Sequence, residues 1–246
     1  MPWPKRVTVA LWAATAVVLV LSIWATMDLG GRADAAITAL SWVVVAAPLT
    51  AGYLAIRHDP GNWVGTWLTS AGTGIALINA HGTWQDALAA EPSALPASPL
   101  LWVLTQGVWM AWFVPYAMVV VLFPDGRPWG RLGRASAVAL LVIPVLFNLL
   151  TAVIPGPLMP PLDDWPRPLG THAVGYVSLG LLPIFLAVLI GAGVSLWRRH
   201  AAASDPRARA QLRWMLLAAG LLPVTLVLCW VGYLVTGGPE PVVVGL

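Results

Sequence analysis

Residues 135–154 read ASAVALLVIPVLFNLLTAVI, a run of twenty residues that contains no charged side chain. A helix that crosses the hydrocarbon core of a bilayer needs about 20 apolar residues, because each residue adds about 1.5 Å to its length. The run is therefore typical of a transmembrane helix. Its internal proline, Pro144, favours a kink, because proline removes one backbone hydrogen bond.

Six further runs share this character, because each is long, apolar and free of charged residues. The seven predicted spans are 7–27, 35–56, 63–80, 100–123, 135–154, 171–197 and 214–236. We therefore expect an all-α fold, a polytopic transmembrane helix bundle of about seven spans that forms a single domain over residues 1–246. The final stretch PVVVGL, residues 241–246, is typical of the start of an eighth span.

The composition indicates a chain whose main solvent is lipid. Hydrophobic residues make up 59% of the 246 positions and charged residues 9%, whereas a soluble domain carries about 25% charged residues. Cys229 is the single cysteine, so neither a disulfide framework nor a thiolate metal site can form within the chain. The lipid bilayer is the expected partner, and we expect no cofactor, no metal and no nucleic acid.

The basic residues predict the orientation of the spans. With the N-terminus inside, eleven of the thirteen Lys and Arg residues fall in cytoplasmic segments, and only Arg32 and Arg167 fall outside. Cytoplasmic loops of membrane proteins carry such an excess. We expect a multi-pass protein of the bacterial cell (inner) membrane with a cytoplasmic N-terminus. The single lysine beside twelve arginines is typical of a GC-rich bacterial genome.

Arginines next to the predicted span ends are candidates for contact with lipid headgroups. The inner leaflet is anionic and attracts basic residues at the membrane surface. The candidates are Arg127, Arg131, Arg134, Arg198, Arg199, Arg207, Arg209 and Arg213.

Polar side chains within the spans gather in their outer halves. The candidates for a ligand site there are Asn79, His81, Gln106, Asn148, His172 and Tyr176. A polar group in hydrocarbon is costly unless it is hydrogen-bonded. Two interpretations remain open, namely pairing between helices and a polar-lined cavity that faces the outside or the outer leaflet.

Three cytoplasmic segments carry recognisable turns and caps. In HDPGNWVGTW, residues 58–67, Pro-Gly predicts a tight turn before a helix. In LFPDGRPWGR, residues 122–131, Pro-Asp-Gly predicts a second turn. In DPRARAQLRWMLLA, residues 205–218, Ser204 or Asp205 can cap a helix that carries Pro206 in its first turn and continues into the last span.

Taken together and in this order, the three segments resemble the N-terminal membrane region of actinobacterial-type sensor histidine kinases, over roughly residues 55–235. The resemblance implies a sensing region that detects an extracytoplasmic or membrane cue and signals to a cytoplasmic output domain outside this chain. It also implies a homodimer formed through the full-length kinase and a response regulator as partner of the kinase domain.

The chain itself is expected to have no catalytic activity. It holds no phosphoacceptor helix and no glycine-rich ATP lid, and His200 lies in a basic loop. A membrane transporter or carrier is an alternative, but its coupling usually needs charged residues inside the membrane. A membrane enzyme acting on lipid is a second alternative, but no nucleophile, base and metal set converges in the sequence. A zinc site from His81, Asp86, Glu91 and His172 matches no ligand spacing of known type.

Overall fold

The computed structural model describes residues 2–28, 35–90, 108–154 and 172–236. Within these ranges every regular element is an α-helix, which confirms the predicted all-α class. The helices are α1 (Trp3–Asp28), α2 (Ala35–His58), α3 (Trp63–Ala90), α4 (Trp109–Leu122), α5 (Gly130–Ala152), α6 (His172–Ala202) and α7 (Pro206–Thr236). Each predicted span coincides with one of these helices over the described residues.

Several helices have the length and polarity of membrane spans. Among the described residues, four segments are long and apolar enough to cross a bilayer: Trp3–Ile23, Gly130–Ala152, Val174–Ala202 and Pro206–Gly232. Val43–His58 and Trp109–Leu122 are apolar but shorter. The outward side chains of α5 are also apolar, as Val138 and Val145 show at 62% and 59% exposure. Such surfaces mark contact with a membrane, whereas the count of about seven spans remains a prediction.

The start of α7 follows the predicted capping pattern. Of the two predicted caps, Asp205 is the one that acts: its carboxylate accepts hydrogen bonds from the backbone N–H groups of Arg207 and Ala208 at 3.2 and 3.1 Å. These bonds satisfy N–H groups that have no partner within the helix. Pro206 takes the first helical position, where its missing N–H costs nothing. The helix then continues unbroken to Thr236, as predicted.

Five of the described helices contain an internal proline, and Pro144 is the one expected from the run at 135–154. The five prolines are Pro48, Pro115, Pro144, Pro183 and Pro223. Each removes the N–H that would bond the carbonyl four residues earlier. In a membrane bundle, neighbouring helices and polar side chains can satisfy the freed carbonyl groups.

Two pairs of threonine side chains join α1 to α3. The hydroxyl groups of Thr8 and Thr66 lie 3.1 Å apart, and those of Thr15 and Thr73 lie 2.8 Å apart. All four side chains are buried. Because the two pairs have the same separation in sequence, α1 and α3 run in the same direction. Hydrogen bonds between helices in a low-dielectric bundle contribute about 0.6–2 kcal/mol each.

Small residues let α2 approach α3 closely. A Cβ atom added to Gly52 would lie 2.6 Å from the carbonyl oxygen of Gly65 and 2.3 Å from the hydroxyl of Thr69. One added to Gly72 would lie 2.6 Å from Leu49. Because residue numbers fall along α2 as they rise along α3, the two helices are antiparallel. Gly65, Thr69 and neighbouring small residues therefore allow the two helix backbones to pack closely.

The short helix α4 lies at the centre of the bundle. It contacts α3, α5, α6 and α7, whereas α1, α2 and α3 pack against one another. The six consecutive residues 117–122 are all buried, so the C-terminal part of α4 is enclosed around its whole circumference. A helix that is apolar all round takes such a position. Phe113 of α4 packs edge-on against Phe185 of α6, with ring centroids 6.3 Å apart.

The helix ends with basic residues lie together at one end of the bundle, here called the basic end. α1 and α3 begin there, the α4–α5 turn touches the start of α3, and the end of α6 touches that turn. A connection of three residues separates the end of α6 from the start of α7. The basic end carries Lys5, Arg6, Arg57, Arg127, Arg131, Arg134, Arg198, Arg199, Arg207, Arg209 and Arg213. These are the eleven residues predicted to be cytoplasmic.

Candidate functional site

Two of the sequence segments meet at the basic end, and the C-terminal turn of α6 joins them. The meeting point, here called the turn junction, consists of Asn62, Phe123, Pro124, Asp125, Gly126 and Arg199. It brings Asn62 to Pro124, 62 positions away in the chain, and Arg199 to Phe123, 76 positions away. It therefore ties three connections of the bundle to one another.

Asn62 links the α2–α3 turn to the α4–α5 turn. Asp59 first closes the α2–α3 turn, since its side chain accepts from the N–H of Gly61 at 3.1 Å. The side-chain oxygen of Asn62 then caps α3 by accepting from the N–H of Val64 at 2.9 Å. Its amide nitrogen donates to the carbonyl of Pro124 at 2.8 Å. One side chain therefore both starts α3 and holds the neighbouring turn.

Gly126 lets the two turns come into contact. Its φ angle of +73° lies in the left-handed region that other residues enter at a cost. A Cβ atom there would lie 2.5 Å from the side-chain oxygen of Asn62 and 2.8 Å from the backbone nitrogen of Trp63. Glycine is therefore required by the backbone conformation and also by the space available.

Arg199 fastens the end of α6 to the same turn. Its guanidinium donates to the carbonyl of Phe123 at 2.8 Å and forms an ion pair with Asp125. The Phe123 carbonyl belongs to the C-cap of α4, where the helix dipole favours a positive charge. The Arg199 side chain is 14% exposed and that of Asp125 is 65% exposed. The bond to the carbonyl is consequently less screened by solvent than the ion pair.

Below the turn junction, α5 and α6 pack through small residues. The Ser195 hydroxyl donates to the carbonyl of Trp129 at 3.3 Å. A Cβ atom added to Gly133 would lie 2.8 Å from that hydroxyl, and one added to Gly191 would lie 3.3 Å from the Ser136 hydroxyl. The end of α6 and the start of α5 therefore have little freedom to separate without breaking these contacts.

Two grooves share Trp67, and the first of them reaches the turn junction at Asp125 and Gly126. The inner groove, of about 470 Å³, is lined by Gly61, Trp63, Trp67, Met118, Leu122, Asp125, Gly126, Arg127 and Pro128. The kink groove, of about 330 Å³, is lined by Trp67, Val108, Ala111, Val114, Pro115, Leu140, Leu141, Pro144, Val145, Asn148 and Leu149. Residues of α4 line both grooves. Residues of α3 also line the inner groove, and residues of α5 also line the kink groove.

The predicted ligand residues are distributed unevenly around these grooves. Asn148 lines the kink groove. Asn79 and His81 are half-buried on α3, and the His81 ring lies 5.9 Å from that of Trp84. Tyr176 is 77% exposed on α6 and lines neither groove.

Two other predicted ligand residues are not fully described. Gln106 lies outside the described residues, and His172 begins α6 with a side chain that is not described. Whether the six residues share one site therefore remains a prediction.

Most of the predicted headgroup arginines are exposed at the basic end. Arg127, Arg131, Arg134, Arg198, Arg207, Arg209 and Arg213 are all exposed. Arg199 differs, because its side chain is only 14% exposed and its guanidinium bonds Phe123 and Asp125 of the turn junction. Sequence reasoning assigned it a lipid role and missed this structural one, and it quoted Asn62 only as part of a turn.

The polar groups of the turn junction hold backbone segments in place. They are amides, carbonyls and one ion pair, which position backbone segments and offer no nucleophile. Within the described ranges, no three His, Cys, Asp or Glu side chains lie close enough to hold a metal ion.

The geometry defines a class of protein, the all-α membrane bundles with interlocked turns at one end. Comparison of the chain with family models, with curated proteins and with solved structures gave no match. Its function is therefore argued from its own residues.

Proposed function

We propose that this chain is the membrane-embedded sensing region of a two-component sensor histidine kinase. It detects an extracytoplasmic or membrane cue and passes the signal to a cytoplasmic kinase domain of the full-length protein. That protein is a homodimer, and the kinase domain acts on a response regulator. The proposal places the chain in the bacterial inner membrane with about seven spans and a cytoplasmic N-terminus. The predicted start of an eighth span, at residues 241–246, lies outside the described residues.

The observation that carries the proposal is the turn junction. Two of the three segments that resemble sensor kinases, 58–67 and 122–131, are joined by the bond between Asn62 and Pro124. Arg199 adds the end of α6 to them. A tilt of α6 therefore pulls on the α4–α5 turn and on the start of α3. Such a linkage suits a protein that transmits small helix movements to its cytoplasmic side.

The cue is proposed to enter from the outer half, where Asn148 is the best-placed candidate. Its groove runs beside Pro115 and Pro144, and each of these prolines removes a backbone donor from the helix wall. A ligand that prefers one arrangement of the kinked helices shifts the equilibrium toward that arrangement. Asn79, His81, Gln106, His172 and Tyr176 remain the further candidates for contact with the cue.

The first test concerns the full-length polypeptide. The reading frame beyond the codon for Leu246 is expected to encode the rest of an eighth span, a phosphoacceptor helix and an ATP-binding domain. In liposomes, Arg199→Gln in that protein is expected to change the basal autophosphorylation rate several-fold. Arg198→Gln serves as control, because it removes the same charge from an exposed neighbour. A frame without a kinase domain refutes the proposal, and equal rates for both variants refute the role of the turn junction.

The orientation is tested by labelling single cysteines in a Cys229→Ser background. A cysteine at Ser93 is expected to react with a membrane-impermeant maleimide in intact cells, because the 81–99 loop is predicted to be outside. A cysteine at Ser204 is expected to react only after the cells are opened, as the distribution of basic residues requires. The reverse pattern would contradict the cytoplasmic N-terminus.

A further inference from the structure

We propose that the two grooves together bind one anionic phospholipid, with its phosphate at Arg127 and one acyl chain along Trp67 toward Pro144. The inference rests on the membrane placement of the chain and not on the kinase proposal. It assigns a defined site to one arginine of the basic end, whereas the remaining exposed arginines face the bilayer surface in general.

Charge at the inner groove favours a phosphate. Arg127 and Asp125 are the charged residues among those that line it. Asp125 is already paired with Arg199, so its charge is compensated within the protein. In the described part of the chain, no hydrogen bond or ion pair engages the guanidinium of Arg127. The inner groove therefore presents a net positive end, and a guanidinium is well suited to bind phosphate through two hydrogen bonds.

The lining of the inner groove changes from polar to apolar in the direction that a phospholipid requires. Trp63 and Trp67 follow the charged turn, and tryptophan is favoured at the level of the headgroups. Met118 and Leu122 of α4 form apolar parts of the same surface. An amphiphile with its charged group at the turn thus finds apolar walls immediately below it.

The kink groove continues this apolar surface into the bilayer. Trp67 lines both grooves, so the two grooves lie next to each other. Leu141, Val145 and Leu149 of α5 line the kink groove and are 47%, 59% and 53% exposed, so the surface is accessible from the membrane. Pro115 and Pro144 lie on α4 and α5, where the two kinked helices border the groove.

The dimensions fit a lipid of one leaflet. Half of a bilayer, with its headgroup region included, is about 20–22 Å deep. Leu140 and Pro144 lie about 15 and 21 Å from Gly130 along α5, at about 1.5 Å per residue. An acyl chain that starts at the level of Arg127 consequently ends beside the kink, short of Asn148. The lipid site and the proposed cue site are therefore neighbours along a single surface.

The test measures lipid retention by the full chain in native mass spectrometry, after purification from nanodiscs of equal phosphatidylglycerol and phosphatidylcholine. The wild-type protein is expected to retain one phosphatidylglycerol. Arg127→Gln is expected to lower this retention about tenfold, as the loss of a charge-assisted bond pair implies. Arg131→Gln is the matched control, since Arg131 is an exposed arginine four residues away that lines neither groove.

A second variant tests the acyl part of the site. Ala111 is exposed and lines the kink groove, so Ala111→Trp fills the groove without entering the core. It is expected to lower phosphatidylglycerol retention several-fold while the helical circular dichroism is unchanged.

Equal losses in Arg127→Gln and Arg131→Gln would overturn the proposal, because retention would then follow net charge alone. Displacement of the lipid by millimolar inorganic phosphate would also overturn it, since the site would then bind any anion.

Discussion

Replacing Gly52 by alanine is expected to lower the free energy of unfolding by about 2 kcal/mol, through overpacking of the α2–α3 contact. The added methyl carbon would lie 2.6 Å from the Gly65 carbonyl oxygen and 2.7 Å from the Thr69 backbone nitrogen. These are backbone atoms, which cannot move aside without separating the helices. Gly52→Leu is expected to prevent α2 from packing against α3 and to lose the folded state. The measurement is reversible unfolding in SDS, followed by circular dichroism.

The control for this prediction is Gly74→Ala on α3. An added Cβ at Gly74 meets nothing within 4 Å. Alanine in a helix interior is more favourable than glycine by about 0.5–1 kcal/mol, because it loses less backbone entropy. The two substitutions are therefore expected to have opposite signs. If Gly52→Ala were as stable as Gly74→Ala, the close approach of α2 and α3 would be wrong.

The helices could be predicted from the sequence because their signal is strong and local. Each span is a run of about 20 apolar residues without a charge, and such a run has no stable alternative to a helix in lipid. The cap at Asp205 was equally predictable, because it depends on neighbouring residues only. These features need no knowledge of the tertiary packing.

Helix ends were predicted less well, because hydropathy marks the hydrocarbon core and not the end of a helix. The span predicted to end at residue 80 continues as α3 to Ala90, through the polar HGTWQDALAA. Likewise α6 continues beyond residue 197 to Ala202. An existing helix extends past the hydrocarbon core at little cost, because each added residue gains a backbone hydrogen bond. A helix ends where a turn or capping signal interrupts it, which is a separate property of the sequence.

The turn junction could not be predicted, because the sequence of a membrane helix conceals which face is buried. In α6 the buried residues Phe185, Leu189, Ala192 and Leu196 follow a helical spacing that leads to Arg199 and passes by Arg198. The residues on the other faces are nearly as apolar, since lipid surrounds the bundle. Hydropathy therefore does not show which face of the helix is buried. The sequence alone does not distinguish Arg198 from Arg199.

The contacts of Asn62 and Arg199 are expected to be energetically coupled, because both hold the α4–α5 turn. Asn62→Ala removes a helix cap and the bond to Pro124, at a cost of about 2 kcal/mol. Arg199→Gln removes charge-assisted bonds to Phe123 and Asp125, at a cost of about 1–3 kcal/mol. Once one contact is lost, the turn is already loosened, so losing the second costs less.

A double-mutant cycle measures this coupling. The double variant is expected to be about 0.5–1.5 kcal/mol more stable than the sum of the two single changes predicts, as for residues in one network. Hydrogen exchange at the Gly126 amide, which bonds the Leu122 carbonyl at 2.9 Å, reports on the turn itself and is expected to accelerate in each single variant. The control pairs Asn62→Ala with Arg198→Gln, whose effects are expected to add. If the Asn62 and Arg199 effects also added, the three connections would be held independently, and a movement of α6 would have no route through the turn to α3.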